Sequence, residues 1–149
     1  MLAGCMLAAS GLAGCGSHAE TKQDYIARAN AICESALRGI RNIAPPAGAV
    51  TLPGLARFLR QVTPLVQSEI SQLRALPRPS QDRPLLDRYR AALQVDRAHY
   101  TALAAAARSG DRQMMAEVTS ALQASPSSAL ASRYGLSSCA SSSGTAQAS

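Results

Sequence analysis

Hydrophobic positions in this chain recur at intervals of three and four over four long stretches, the spacing of one face of an α-helix. In the first stretch Tyr25, Ile26, Ala29, Ile32, Cys33, Ala36, Leu37 and Ile40 share such a face. Thr21 with Asp24 three residues on has the form of a capping box with the shorter acid, which predicts a helix start. Arg38 and Arg41 complement the dipole at the carboxyl end, and Pro45-Pro46 forbids continuation, so the helix is predicted to stop near Asn42. Residues 47–51 then read as a loop.

A second helix is predicted from about Leu52-Pro53, because proline is well tolerated in a first turn. Its apolar face carries Leu55, Phe58, Leu59, Val62, Leu65, Val66, Ile70, Leu73 and Leu76. Pro64 lies inside it and is expected to kink or split it, and Pro77-Arg78-Pro79 ends it. Asp82 is the N-cap candidate of a long third helix through Leu85, Leu86, Tyr89, Leu93, Tyr100 and Leu103, with Pro84 just inside. The alanines at 104–107 would let a neighbouring backbone approach closely. Ser109-Gly110 supplies a left-handed stop, and Asp111 caps a fourth helix faced by Met114, Met115, Val118, Ala121 and Leu122. Pro126 interrupts it, and a helical continuation reaches Tyr134 before Gly135. Residues 140–149, rich in Ser, Gly and Ala, are expected to be a disordered tail. Helices alternating with short Pro/Gly connectors predict an all-α fold. The expected architecture is an antiparallel, up-down-up-down four-helix bundle over residues 22–139, its second helix kinked at Pro64.

Composition agrees with helices. Hydrophobic residues make up 47% of the chain but aromatics only 3%, with no Trp and Phe58 the one Phe. A core of Leu, Ile, Val and Ala suits a bundle and argues against a β-sandwich. The net charge is +6, yet the arginines are spread along the whole chain and Lys22 is the one lysine. A nucleic-acid surface would cluster the cations and interleave stacking aromatics, so no nucleic-acid partner is expected. Mild attraction to anionic headgroups or wall polymers suits such a domain better.

Residues 1–14 hold no ionisable side chain, and about 13 of them form an apolar run of signal-peptide length. The run is shorter than the roughly 20 residues that cross a bilayer as a helix. It closes on Leu12-Ala13-Gly14-Cys15, which resembles the bacterial lipobox, where cleavage precedes a cysteine whose sulfur carries diacylglycerol. The resemblance implies a signal peptide at 1–14, Cys15 as the lipidated N-terminus, and a flexible tether at 15–21. Two acyl chains, palmitate among the common ones, give stable membrane attachment where one gives only marginal binding. The opening lacks the usual Lys or Arg, and a second copy, Leu2-Ala3-Gly4-Cys5, lies close to Met1. Both are accounted for by a start upstream of Met1. The alternatives are an ordinary secretory signal or a buried apolar N-terminus.

Removing residues 1–14 from the 149 leaves 135, the size of one domain. Cys33 and Cys139 then remain, and an even pair in an exported protein reads as a disulfide. Cys33 would lie about 16 Å above the start of the first helix, and four extended residues after Gly135 would rise about 13 Å to meet it. Zinc is not expected, with no C-x-x-C and His18 and His99 as the histidines.

The lipobox, the segment Lys22-Gln23-Asp24-Tyr25-Ile26-Ala27-Arg28-Ala29-Asn30-Ala31-Ile32-Cys33, then Leu73-Arg74-Ala75-Leu76-Pro77, and Tyr134-Gly135-Leu136 with Cys139 together resemble a group of small actinobacterial exported proteins. These are predicted lipoproteins of uncharacterised function. The resemblance implies a shared architecture with two cysteines and transfers no catalytic residue.

Asp96 and His99 share one face of the third helix, a spacing that ferritin-like bundles use, with Glu, for metal. One such pair exists, and Glu34, Glu69 and Glu117 would have to join it from other helices. His99 with Met114 or Met115 could ligate haem, though methionines at helical spacing usually fill a core. No serine lies in G-x-S-x-G, no Ser-x-x-Lys exists, and nine acids in all leave little for paired-carboxylate chemistry. Neither catalytic residue, metal nor cofactor is expected. The sequence points to a lipid-anchored, non-catalytic envelope protein, an interaction or ligand-binding module for an unknown envelope protein or wall component. Its main rival is a small-molecule or cofactor carrier using the bundle core, with an accessory subunit of an envelope enzyme as a third reading. A cavity lined by Met114, Met115, Phe58 and Tyr100 would favour the carrier, and a solid core with an exposed apolar stripe would favour partner binding.

Overall fold

The computed structural model describes residues 20–45 and 51–144. The signal peptide, Cys15, most of the tether, Pro46, positions 47–50 of the expected loop and the last five residues lie outside the described residues. What is described is all-helical: α1 (Lys22–Arg41), α2 (Leu52–Ala75), a 3₁₀ turn (Ser80–Asp82), α3 (Arg83–Ser109), α4 (Arg112–Gln123), α5 (Ser127–Tyr134) and α6 (Ser137–Gly144).

The helix ends follow local chemistry. Thr21 Oγ1 accepts from the Asp24 amide at 3.1 Å while Asp24 Oδ2 accepts from the Thr21 amide, completing the expected capping box. Asp111 Oδ1 accepts from the Met114 amide at 2.9 Å and starts α4. Thr51, which the sequence pattern did not single out, caps α2 through the Gly54 amide at 3.2 Å. Gly110 (φ +75°) and Gly135 (φ +97°) take the left-handed conformation that stops α3 and α5. Arg90 reaches from α3 to donate to the Leu73 and Leu76 carbonyls, closing the end of α2 with a cation.

Three expectations change. Asp82 does stand at the N-cap of α3, but its side chain makes no cap bond. Its Oδ2 instead accepts from the Tyr134 hydroxyl at 2.8 Å, a partner that docking of α5 brings in. Pro64 does not divide its helix: α2 runs unbroken from Leu52 to Ala75. The buried Leu59, Val62, Val66, Ile70 and Leu73 on both sides of Pro64 hold it, against the roughly 3 kcal/mol cost of an interior proline. The Ser-rich tail does not begin at 140, because α6 continues to Gly144. Distant groups hold this helix: the Ser138 amide donates to Asn30 Oδ1 at 3.1 Å, Ser138 Oγ to Glu34 Oε1 at 3.0 Å, and Ser128 Oγ to the Ala140 carbonyl at 3.0 Å.

Cys33 and Cys139 are joined in a disulfide with 5.0 Å between their Cα atoms. The route differs from the expected extended run, since Cys139 sits on α6, which packs against α1 and α5. Elsewhere α1 packs on α2, α2 on α3, and α3 on α4 and α5. The main core joins Tyr25, Cys33, Ile70, Leu73, Leu86, Tyr89, Leu93, Tyr134 and Leu136. A smaller cluster of Ala56, Leu59 and Ala107, edged by Leu103 and Met115, closes the far end through the small alanines of α3.

Candidate functional site: a carboxyl-bearing cavity in the helical core

The α2 and α3 faces do not fill the space between them. A partly open cavity of about 250 Å³ remains, walled by Phe58, Val62, Val66 and Glu69 of α2, by Tyr89, Leu93, Asp96 and Tyr100 of α3, and by Thr119 and Leu122 of α4. These positions follow from helical spacing. On α3, residues 89, 93, 96, 100 and 103 form one stripe, and Glu69 occupies the matching stripe of α2 between Val66 and Ile70. The stripe buries two acids with its apolar residues: Glu69 is 7% exposed and Asp96 5%. Asp96 Oδ1 has no hydrogen-bond partner among the described residues, a costly state for a buried polar atom.

No Lys or Arg is among the lining residues. Burial pushes the Tyr89 hydroxyl far above its usual ionisation range, and the negative charge of Glu69 adds to that, followed by Tyr25 and Asp96. Burial likewise raises Tyr100, with Asp96 and then Glu69 acting in the same direction. The cavity therefore combines an apolar wall, three aromatic rings and two carboxyl side chains.

Asp96 also borders a surface groove of about 430 Å³ with Arg88, Val95 and His99 of α3, facing Ala121, Pro126 and Leu130. His99 Nδ1 is buried there without a hydrogen-bond partner among the described residues. Neither methionine lines the groove, so His99 is not brought to Met114 or Met115. Met114 is exposed, and Met115 packs beside Leu59 and Ala107. Glu34 engages Ser138 Oγ and Arg38, and Glu117 accepts from Gln113, both on the surface and away from Asp96. Among the described residues no group of three His, Cys, Asp or Glu could hold a metal ion.

Of the four residues that would mark a carrier, Phe58 and Tyr100 line the cavity while Met114 and Met115 do not. The sequence reading missed Glu69 and Asp96 as its polar features. The signal was present, since both acids interrupt apolar stripes at core-facing positions. No helix among the described residues is long and apolar enough to cross a membrane. No family model, curated protein or solved structure matches this chain.

Proposed function

We propose that this chain is a lipid-anchored, non-catalytic protein of the extracytoplasmic membrane face that binds a small, mainly apolar molecule in its helical core. The observation that carries the reading is the apolar cavity walled by Phe58, Tyr100 and the aliphatic residues of α2 and α3. An apolar cavity of about 150 Å³ takes benzene. Scaled to about 250 Å³, this one accommodates roughly ten non-hydrogen atoms.

The anchor rests on Leu12-Ala13-Gly14-Cys15. From Cys15 to the helix start at Lys22 is a span of at most about 25 Å, which keeps the domain at the bilayer surface. The reading includes an up-down-up-down course of four helical segments. It also includes a bend of α2 at Pro64, supported by the amide that proline lacks and by the cavity wall at Val62 and Val66. Small-molecule binding is favoured over docking to an envelope protein or wall component by the surface. The large hydrophobics left exposed among the described residues are Val95 and Met114, on different helices.

Titration of the oxidised full-length chain with tert-butylbenzene tests the cavity. Saturable binding is expected, and Val66→Phe, which fills the space, should abolish it while leaving helical circular dichroism intact. Absence of saturable binding both of this hydrocarbon and of an ammonium of the same shape would refute the reading. Cys15→Ser tests the anchor: the variant should leave the membrane fraction or stay uncleaved in cells. A mature wild-type protein with an unacylated N-terminus would overturn that part.

A further inference from the structure

We infer that the cavity selects a small organic cation, an ammonium on an apolar body, with the Asp96 carboxyl as its counter-charge. This deepens the proposed function and rests on the cavity being a binding site.

Three features of the cavity point to the same ligand chemistry. Asp96 is 5% exposed, lines the space, and has an oxygen, Oδ1, without a hydrogen-bond partner among the described residues. A buried carboxylate with neither a donor nor a counter-charge at one oxygen is costly, and the positive charge of a bound ammonium offsets that cost whether or not the ammonium carries an N–H. Arg88 and His99 border Asp96 from the groove side, but neither hydrogen-bonds Oδ1. Second, Glu69 lies on the facing helix of the same cavity, and no Lys or Arg is among the described residues that line it. Burial is the main cause that raises the Tyr89 and Tyr100 hydroxyls, and the negative charge of those two acids adds to it in the same direction. Third, Phe58, Tyr89 and Tyr100 place three rings around the space, and aromatic faces attract desolvated ammonium groups. An anion would meet two carboxyls and no donor cation. A neutral hydrocarbon would fill the volume and leave Asp96 Oδ1 unmatched.

Phenyltrimethylammonium and tert-butylbenzene share one shape and differ in charge, which makes them the deciding pair. With the oxidised full-length chain, calorimetry should show the cation binding at least about tenfold tighter. Asp96→Asn should bring the two probes to about equal affinity while leaving tert-butylbenzene within about twofold of wild type. Glu117→Gln, on the exposed face of α4, should leave the preference unchanged. Nuclear Overhauser contacts from the N-methyl protons to Tyr100 and Leu93, the turns either side of Asp96, should appear in wild type. They make the test independent of whether Asp96→Asn folds. Equal affinities, a preference for the neutral probe, a preference that survives in folded Asp96→Asn, or contacts to surface residues alone would each overturn the inference. Binding of tert-butylbenzene without a cation preference removes this inference and leaves the cavity reading standing. Binding of neither probe removes both.

Discussion

The Tyr134 hydroxyl donates a 2.8 Å hydrogen bond to Asp82 Oδ2, tying the end of α5 to the start of α3 across 52 residues. The same ring stands edge-on to Tyr25, with centroids 5.6 Å apart and planes at 87°, and the Lys22 ammonium lies 4.8 Å from its centre. One tyrosine thus joins α1, α3 and α5. Tyr134→Phe keeps the ring contacts and removes the bond, leaving the half-buried Asp82 carboxyl without that donor. A loss of about 1–2 kcal/mol is expected in urea unfolding, a fall of roughly 4–8 °C in melting temperature. No measurable change would show that water replaces the hydroxyl at no cost.

The tyrosines also set a limit at high pH. Burial is the largest cause raising all four hydroxyls, partly opposed at Tyr25 by Arg90 and assisted at Tyr134 by the bond to Asp82. In the unfolded chain they ionise near pH 10. A folded value above the unfolded one contributes stability that is full below about pH 10 and declines as pH rises beyond it. Stability should therefore drop steeply above pH 10. Phenolate absorbance should stay low until unfolding and then appear together for all four residues. Gradual titration near pH 10 in the folded protein would contradict this.

The disulfide closes a separation of 106 residues, worth nominally 4–5 kcal/mol in the chain-entropy account. That is comparable with the whole stability of a modest domain. The Cys33→Ser/Cys139→Ser double variant should melt roughly 10–20 °C lower than the oxidised protein. Peptide mapping without reductant should recover the two cysteine peptides joined. Quantitative alkylation of both thiols in unreduced, denatured protein would exclude the bond.

Two glycines should respond differently to alanine. At Gly135 the backbone is left-handed (φ +97°), and a Cβ would lie 3.3 Å from Ile26 Cδ1, so Gly135→Ala should cost about 1–2 kcal/mol. At Gly39, within α1, a Cβ would meet Leu65 Cδ1 at 3.2 Å, the end of a flexible side chain. The gain in helix propensity, up to about 1 kcal/mol, offsets that crowding, so Gly39→Ala should be nearly neutral. Chemical unfolding of the two variants side by side checks the contrast.

The parts legible in advance were those decided within one turn of chain. A capping box at Thr21 needs only Asp24, a cap at Asp111 only the Met114 amide, and a stop at Gly110 or Gly135 only a residue free of a Cβ. Periodicity likewise placed Val62, Val66 and Ile70 of α2 and Leu86, Tyr89 and Leu93 of α3 on inward faces, because burial of a helix face follows from its neighbours at three and four residues. Glu69 and Asp96 lie on those same faces and were missed only because acids are not expected there. The cysteine count was enough to expect the Cys33–Cys139 bond, since an exported pair has few other fates.

What the chain does with those elements depended on groups far apart in sequence. Asp82 holds Tyr134 and not its own helix only because α5 docks beside it. The Ser-rich segment after Leu136 is helical because Asn30, Glu34 and Cys33 receive it, and its composition alone argues for disorder. The cavity is the clearest case. Side-chain spacing tells which residues face inward, but whether the facing volumes fill the gap depends on how α2, α3 and α4 approach one another. That distance is set by every contact in the core at once, and so only the tertiary structure decides that Asp96 borders a space and not a partner.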